Sequence, residues 1–209
     1  PKRGGTTPCK ERCEGSAGQG PSRQNLRGSA ALLAQYESLS RTSAVPRQIG
    51  LHPWVANGKN GETSEQRDAD SAACRLKIDA DTHVTVDAGL VPNGTEPVDG
   101  TKFDLRDDPV LDGRAFDDAW VDVHRADDGT TTTVFTRPDG MEIKLVGDET
   151  INAWQCYTAT GAPFDQHPNG IAVEPMTAPA NAFRSGDHLT VIEPGKSVTT
   201  VVRYEVTVK

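Results

Sequence analysis

The clearest pattern in the chain is an alternation of apolar and polar residues with period two. In the last segment Val198, Val202, Tyr204, Val206 and Val208 point one way, and Thr199, Arg203, Glu205 and Thr207 point the other. That is the signature of a strand with one buried face. Short apolar runs at residues 75–78, 83–86, 130–136, 141–146, 153–158, 171–173 and 189–192 read as further strands. Arg137-Pro138-Asp139-Gly140 between two of them is a hairpin signal. The turn-rich stretch 90–94 and a short extended piece at 101–106 lie between the others, and the run 57–71 reads as loop. Residues 114–123 carry Phe116 and Trp120 four apart. Proline cannot donate to a sheet ladder, so Pro175 is expected to end or bulge the strand that begins at Ile171. Many short strands with regular turn signals and almost no helical periodicity predict an all-β sandwich over residues 72–209.

Composition changes this picture at the N-terminus. Arg, Ser, Gly and Pro together make 22 of the first 48 residues, too polar a mixture to offset chain entropy by burial, so 1–48 reads as disordered. The exception is Ser-Ala-Ala-Leu-Leu-Ala-Gln-Tyr-Glu-Ser-Leu at 29–39, where Leu32, Leu33, Tyr36 and Leu39 share one face of a short helix. At Ile49 the character changes abruptly, which divides the chain into 1–48 and 49–209.

Charge follows the same division. Residues 1–48 hold eight Lys/Arg against three Glu, a net of +5; the whole chain carries −8, so residues 49–209 carry −13. So acidic a body argues against nucleic acid or an anionic membrane as partner. No run of apolar residues reaches the length of a membrane span, and no secretory signal opens the chain. Cys9 and Cys13, with three residues between them, have no second Cys or His pair near them, and Cys74 and Cys156 stand far off. All four are expected to be reduced thiols of a cytoplasmic protein, with no metal site.

The chemistry-bearing residues are few. Gly-Leu-His-Pro-Trp sets His52 in apolar surroundings, with the aromatic ring of Trp54 two residues on. Gly-Ile-Ala-Val-Glu-Pro presents Glu174 from the end of a strand. Taken singly, each has a plainer reading. A histidine beside an apolar strand is more often structural, a carboxylate at a strand end is usually solvated, Asp117 has Asp118 as its rival, and Gln155 sits in a strand that offers either face. His83, His124, His167 and His188 lie in strands or polar loops and are read as non-catalytic.

Taken in order, these blocks resemble the aldose 1-epimerases (galactose mutarotases) over about 160 residues. The matching pieces are Gly-Leu-His-Pro-Trp, Ala-Phe-Asp-Asp-Ala-Trp, Trp-Gln-Cys-Tyr-Thr and Gly-Ile-Ala-Val-Glu-Pro. To these is added Leu-Val-Pro-Asn-Gly-Thr-Glu-Pro-Val-Asp-Gly-Thr-Lys-Phe-Asp-Leu-Arg at 90–106, to which a structural role is assigned. The resemblance implies a mutarotase-like β-sandwich and interconversion of the α and β anomers of a free aldohexose, without cofactor. Glu174 would be the general base and His52 the general acid, with Asp117 and Gln155 binding sugar hydroxyls and Trp54 stacking. A carboxylate and an imidazole on opposite sides of one ring supply both proton transfers near neutral pH. The family usually carries some 100 more residues before the His52 block, with a further arginine and histidine for the sugar. Residues 1–48 show no such strands, so only the C-terminal portion of the sandwich is expected, and weak or lost activity with it. An abrupt change at Ile49 is what a shifted or fragmentary start would produce. The alternatives are a carbohydrate-binding protein of the same fold, or an epimerase of hexose 6-phosphates. The latter would want clustered cations, for which Arg106, Arg114 and Arg184 are the nearest in sequence.

Overall fold

A computed structural model describes residues 29–208. The disordered reading of residues 1–28, and the thiols Cys9 and Cys13, lie outside the described residues. Among the described residues thirteen strands and two α-helices follow in order: β1 (Ser29–Leu39), β2 (Val45–Arg47), β3 (Trp54–Ala56), α1 (Ser64–Ala72), β4 (Arg75–Ile78), β5 (Ala80–Val86), β6 (Pro92–Pro97), β7 (Asp117–Val123), β8 (Thr131–Thr136), β9 (Met141–Gly147), β10 (Ala153–Tyr157), β11 (Gly170–Met176), α2 (Ala182–Ser185), β12 (Thr190–Ile192) and β13 (Ser197–Val208). They build a five-stranded antiparallel sheet in the order β1-β13-β9-β8-β4 and a six-stranded one in the order β3-β11-β10-β7-β5-β6, with β12 and β2 as a small third pair. This is the mutarotase-like β-sandwich that the alternating pattern and the ordered blocks predicted.

The core follows from the alternation. One face of the six-stranded sheet contributes Ile171, Val173, Trp154, Cys156 and Trp120; the five-stranded sheet answers with Leu76, Ile78, Phe135, Leu145 and Val202, all fully buried. The two central tryptophans lie opposite each other in the β10–β7 ladder. Trp120 donates through Nε1 to the Phe103 carbonyl at 2.8 Å, and Trp154 to Thr131 Oγ1 at 3.2 Å, so neither leaves a polar group unpaired in the core. The opposite face of the same sheet, carrying Gln155, Glu174, Ala119 and Val84, points away from this core.

Five expectations are corrected. Residues 29–39 form a strand rather than a helix, pairing with β13 at every position from Ser29↔Thr207 to Leu39↔Ser197. Leu and Ala favour a helix locally, but eleven residues of ladder against a ready twelve-residue strand outweigh that preference. Together with β2, this gives residues 29–39 and 45–47 a defined place where the composition suggested disorder up to 48. Arg47 fastens them: buried, it donates to Ser38 Oγ and to Thr200 Oγ1 at 2.8 and 2.9 Å.

The run read as loop contains α1, whose start is a capping box: the Thr63 hydroxyl accepts from Gln66 N–H, and the Gln66 side chain accepts from Thr63 N–H. Residues 101–106 make turns rather than an extended piece. Finally, β11 runs through Pro175 to Met176. Pro175 stands opposite Trp154, while its carbonyl accepts from Leu51 N–H on the other flank. Its missing N–H therefore faces the segment before β3 and not the β10 ladder, so no bond of that ladder is lost.

Candidate active site

Glu174 projects from β11 on the outer face of the six-stranded sheet, directly opposite Gln155 of β10. Two residues further along β10, Tyr157 stands opposite Asp117 of β7. Gln155 Nε2 donates to Asp117 Oδ1 at 2.8 Å, a diagonal bond across the two strands. On the other side of Glu174 the segment leading into β3 is clamped by Leu51 N–H to the Pro175 carbonyl and Val173 N–H to the Pro53 carbonyl. These two bonds flank His52 in sequence and bring its Nε2 to 3.2 Å from Glu174 Oε1. Trp54 stands opposite Ala172, its ring 5.4 Å from that of His52 and 5.9 Å, edge-on, from that of Tyr157. The five residues singled out from sequence, His52, Trp54, Asp117, Gln155 and Glu174, thus lie along one strip of one sheet face.

One expectation about their geometry changes. A base and an acid were expected to flank a ring, but the tips of His52 and Glu174 are in contact. The environments of the two differ sharply: the Glu174 side chain is 13% exposed and that of His52 is 53% exposed. Burial pushes the Glu174 carboxyl above the ordinary carboxylate range; His52 opposes that rise and the charge of Asp117 adds to it. A carboxylate raised in this way is a stronger proton acceptor than an exposed one.

Strand parity puts Asp117 and Asp118 on opposite faces of the sheet. Asp118 shares its face with Trp120 and turns toward the core side, where His83 Nε2 meets its Oδ1 at 2.8 Å. The buried His83 ring lies flat on Phe103, 3.4 Å between centroids, and its Nδ1 meets Glu96 Oε1 at 3.0 Å. Asp118 Oδ2 in turn accepts from Asp117 N–H at 3.1 Å, fixing the backbone that carries Asp117. The segment 90–106 thus supplies Phe103 as a bracket beneath the strip. Arg106, a candidate for holding phosphate, is occupied: it pairs with Asp81, Asp99 and Asp104.

Sequence reasoning missed Tyr157 and the supporting part of His83. The first could have been found from its spacing, two residues from Gln155 and hence on the same face. Among the described residues no group of three or more His, Cys, Asp or Glu is arranged to hold a metal ion. No described helix is long and apolar enough to cross a membrane.

Solved structures share this architecture. An aldose 1-epimerase described as putative, from Escherichia coli K12, is 14% identical with a TM-score of 0.66, over 86% of this chain and 57% of its own. A GalM/aldose epimerase homologue from C. elegans is 18% identical with the same TM-score and the same coverage. The galactose 1-epimerase of Lactobacillus acidophilus is 18% identical, with a TM-score of 0.58 over 84% of this chain and 53% of its own. This chain therefore spans little more than half the length of the structures it resembles. No curated protein matches it. The family model for aldose 1-epimerases matches residues 23–205, so the family-like stretch begins well before Ile49, and the chain belongs to the aldose 1-epimerase family.

Proposed function

We propose that the strip on the outer face interconverts the α and β anomers of a free aldohexose, with Glu174 as base and His52 as acid. The observation that carries this reading is the pairing of a largely covered, proton-hungry carboxylate with an exposed imidazole 3.2 Å away, on the face that also presents Gln155 and Asp117. Glu174 takes the proton of the C1 hydroxyl as the bond between C1 and the ring oxygen breaks. His52 gives its proton to that oxygen, leaving an open-chain aldehyde. Rotation about C1–C2 presents the other face of the carbonyl, and the reverse transfers close the ring, so each group ends as it began. Because His52 is half exposed, it swings off Glu174 to admit the sugar without disturbing the core. Asp117 and Gln155 hold ring hydroxyls, and Trp54 offers its face to the C–H surface of the ring.

A phosphorylated hexose is disfavoured as substrate because Arg106 is already committed to three carboxylates. The buried free thiols Cys74 and Cys156 fit a reducing, cytoplasmic compartment. Polarimetry of freshly dissolved α-D-glucose or α-D-galactose tests the reading. The chain is expected to bring rotation to equilibrium faster than buffer, and Glu174→Gln to remove the gain. Sugar binding without any acceleration would instead assign the chain to the binding-protein alternative.

A further inference from the structure

The turn that precedes β7 carries a cation with no counter-ion among the described residues. Arg114 is half-buried, its Nη1 is shut off from water, and its guanidinium makes no hydrogen bond or ion pair with any described residue. A guanidinium enclosed without a partner is costly, so a partner is expected. Arg114 lines a 170 Å³ cavity between α1, its own turn and the residues that follow β10. None of His52, Trp54, Asp117, Gln155 and Glu174 lines this cavity, so it is separate from the strip.

Donors and acceptors around the cavity are out of balance. At the end of α1 the carbonyls of Ala69, Ser71 and Ala72 already accept from the N–H groups of Ala73, Cys74 and Asp112, and that of Leu111 accepts from Arg114 N–H. The one carboxylate in the wall is Asp68. Its Oδ1 meets His167 Nε2 at 2.7 Å, and its Oδ2 accepts from Gly161 N–H at 3.2 Å. The Thr160 hydroxyl donates to that of Thr158 at 2.9 Å. On the donor side, the Arg114 guanidinium is free. The buried Ser71 hydroxyl accepts from Asn57 Nδ2 at 3.2 Å, while its own proton has no acceptor among the described residues. Unused donors beside satisfied acceptors suit an anion.

Size and charge narrow the class. At about 30 Å³ for each water-sized group, 170 Å³ takes about five or six non-hydrogen atoms, too few for a hexose. One arginine balances a single negative charge, and its fork matches the two oxygens of a carboxylate. Ala69, Ala72 and Leu111 offer apolar wall to a short carbon chain.

We propose that this cavity binds a short-chain monocarboxylate, with its oxygens on Arg114 and the Ser71 hydroxyl. Thr158 in the same wall is tied to Phe116, by its N–H on the Phe116 carbonyl and by its hydroxyl accepting from Phe116 N–H, both at 3.0 Å. An occupant therefore braces α1 against the segment that leads into β7. The site stands apart from the reading of Glu174 as a base.

The test uses the full chain, exchanged into Tris chloride free of oxyanions and titrated at constant ionic strength with acetate, propionate, lactate and inorganic phosphate. Thermal unfolding and calorimetry follow the binding. At least one carboxylate should raise Tm saturably, by roughly 5–10 °C at about 100 times its Kd, where sodium chloride does not. Arg114→Gln should remove the shift. Because it deletes an unpaired charge, it should be at least as stable as wild type in the oxyanion-free buffer. Ala69→Phe, at an exposed helix position in the cavity wall, should block the site while leaving its donors in place. The proposal is overturned by a carboxylate effect no greater than that of chloride, by tighter binding of phosphate than of any carboxylate, or by a carboxylate effect that survives both Arg114→Gln and Ala69→Phe.

Discussion

Gly170 is where the site strand β11 meets β3, and the contact leaves no room for a side chain. A Cβ there would lie 2.1 Å from the Val55 carbonyl oxygen, 2.9 Å from the Val55 carbonyl carbon and 3.0 Å from Ala56 Cα, all backbone. Carbon and oxygen ordinarily stand about 3.3 Å apart or more, so Gly170→Ala must push β3 away by about 1 Å. Overpacking of this kind costs about 1–3 kcal/mol, and each backbone bond lost from the β3–β11 ladder adds about 1 kcal/mol. For a chain of this size 2 kcal/mol lowers Tm by roughly 4–8 °C.

Gly50, at the other end of the same junction, is the control. A Cβ there meets only the flexible Met176 side chain at 3.4 Å, and the lost freedom of the unfolded chain offsets the small adjustment. Urea unfolding of the two variants should show Gly170→Ala well below wild type and Gly50→Ala within about 0.5 kcal/mol of it. Since β3 carries Trp54 and the approach to His52, Gly170→Ala should also weaken sugar binding. Equal stability of the two variants would refute the close approach of β3 to β11.

Four further outcomes follow from the electrostatics. Asp117→Asn removes a charge that raises Glu174, so the acid limb of the pH–rate profile should move down, while His52→Gln removes the opposing group and should raise the carboxyl further, read by NMR titration of Glu174. Arg106 holds Asp104 below the ordinary carboxylate range, and His124 first and Arg106 after it do the same for Asp81; this stabilises the fold above their unfolded pKa and is lost as pH falls through the folded one. Arg106→Ala should therefore lower stability at pH 7 and flatten its decline on acidification, checked by unfolding curves at several pH values. Burial pushes the Cys74 thiol up to about 11 and raises Cys156 as well, so neither should react with a thiol reagent at pH 8 until denaturant is added.

Much of the site was legible in the sequence because a strand fixes which residues share a face. Gln155 and Glu174 could be paired once their strands were read, and the parity shared by Asp118 and Trp120 marks Asp117 as the outward carboxylate. What escaped was decided by distant partners. The stretch 29–39 holds helix-favouring residues, and only the waiting edge of β13 makes it a strand. Pro175 looked like a strand end because its missing N–H was assumed to face the main ladder. In α1 the polar sequence concealed the Thr63–Gln66 capping box, which is a local signal and could have been read. That His52 touches Glu174 depends on two backbone bonds between segments more than 100 residues apart, which no local pattern records.

The central claim is that Glu174 transfers the proton of an anomeric hydroxyl. Exchange NMR on an equilibrated aldohexose measures the α–β interchange directly, without a net reaction. With the wild-type chain, cross-peaks between the two anomeric protons are expected at mixing times where buffer alone gives none. With Glu174→Gln they should vanish while the sugar signals remain broadened by binding. Cross-peaks that persist in Glu174→Gln, or that never exceed the buffer level in the wild type, would contradict the account.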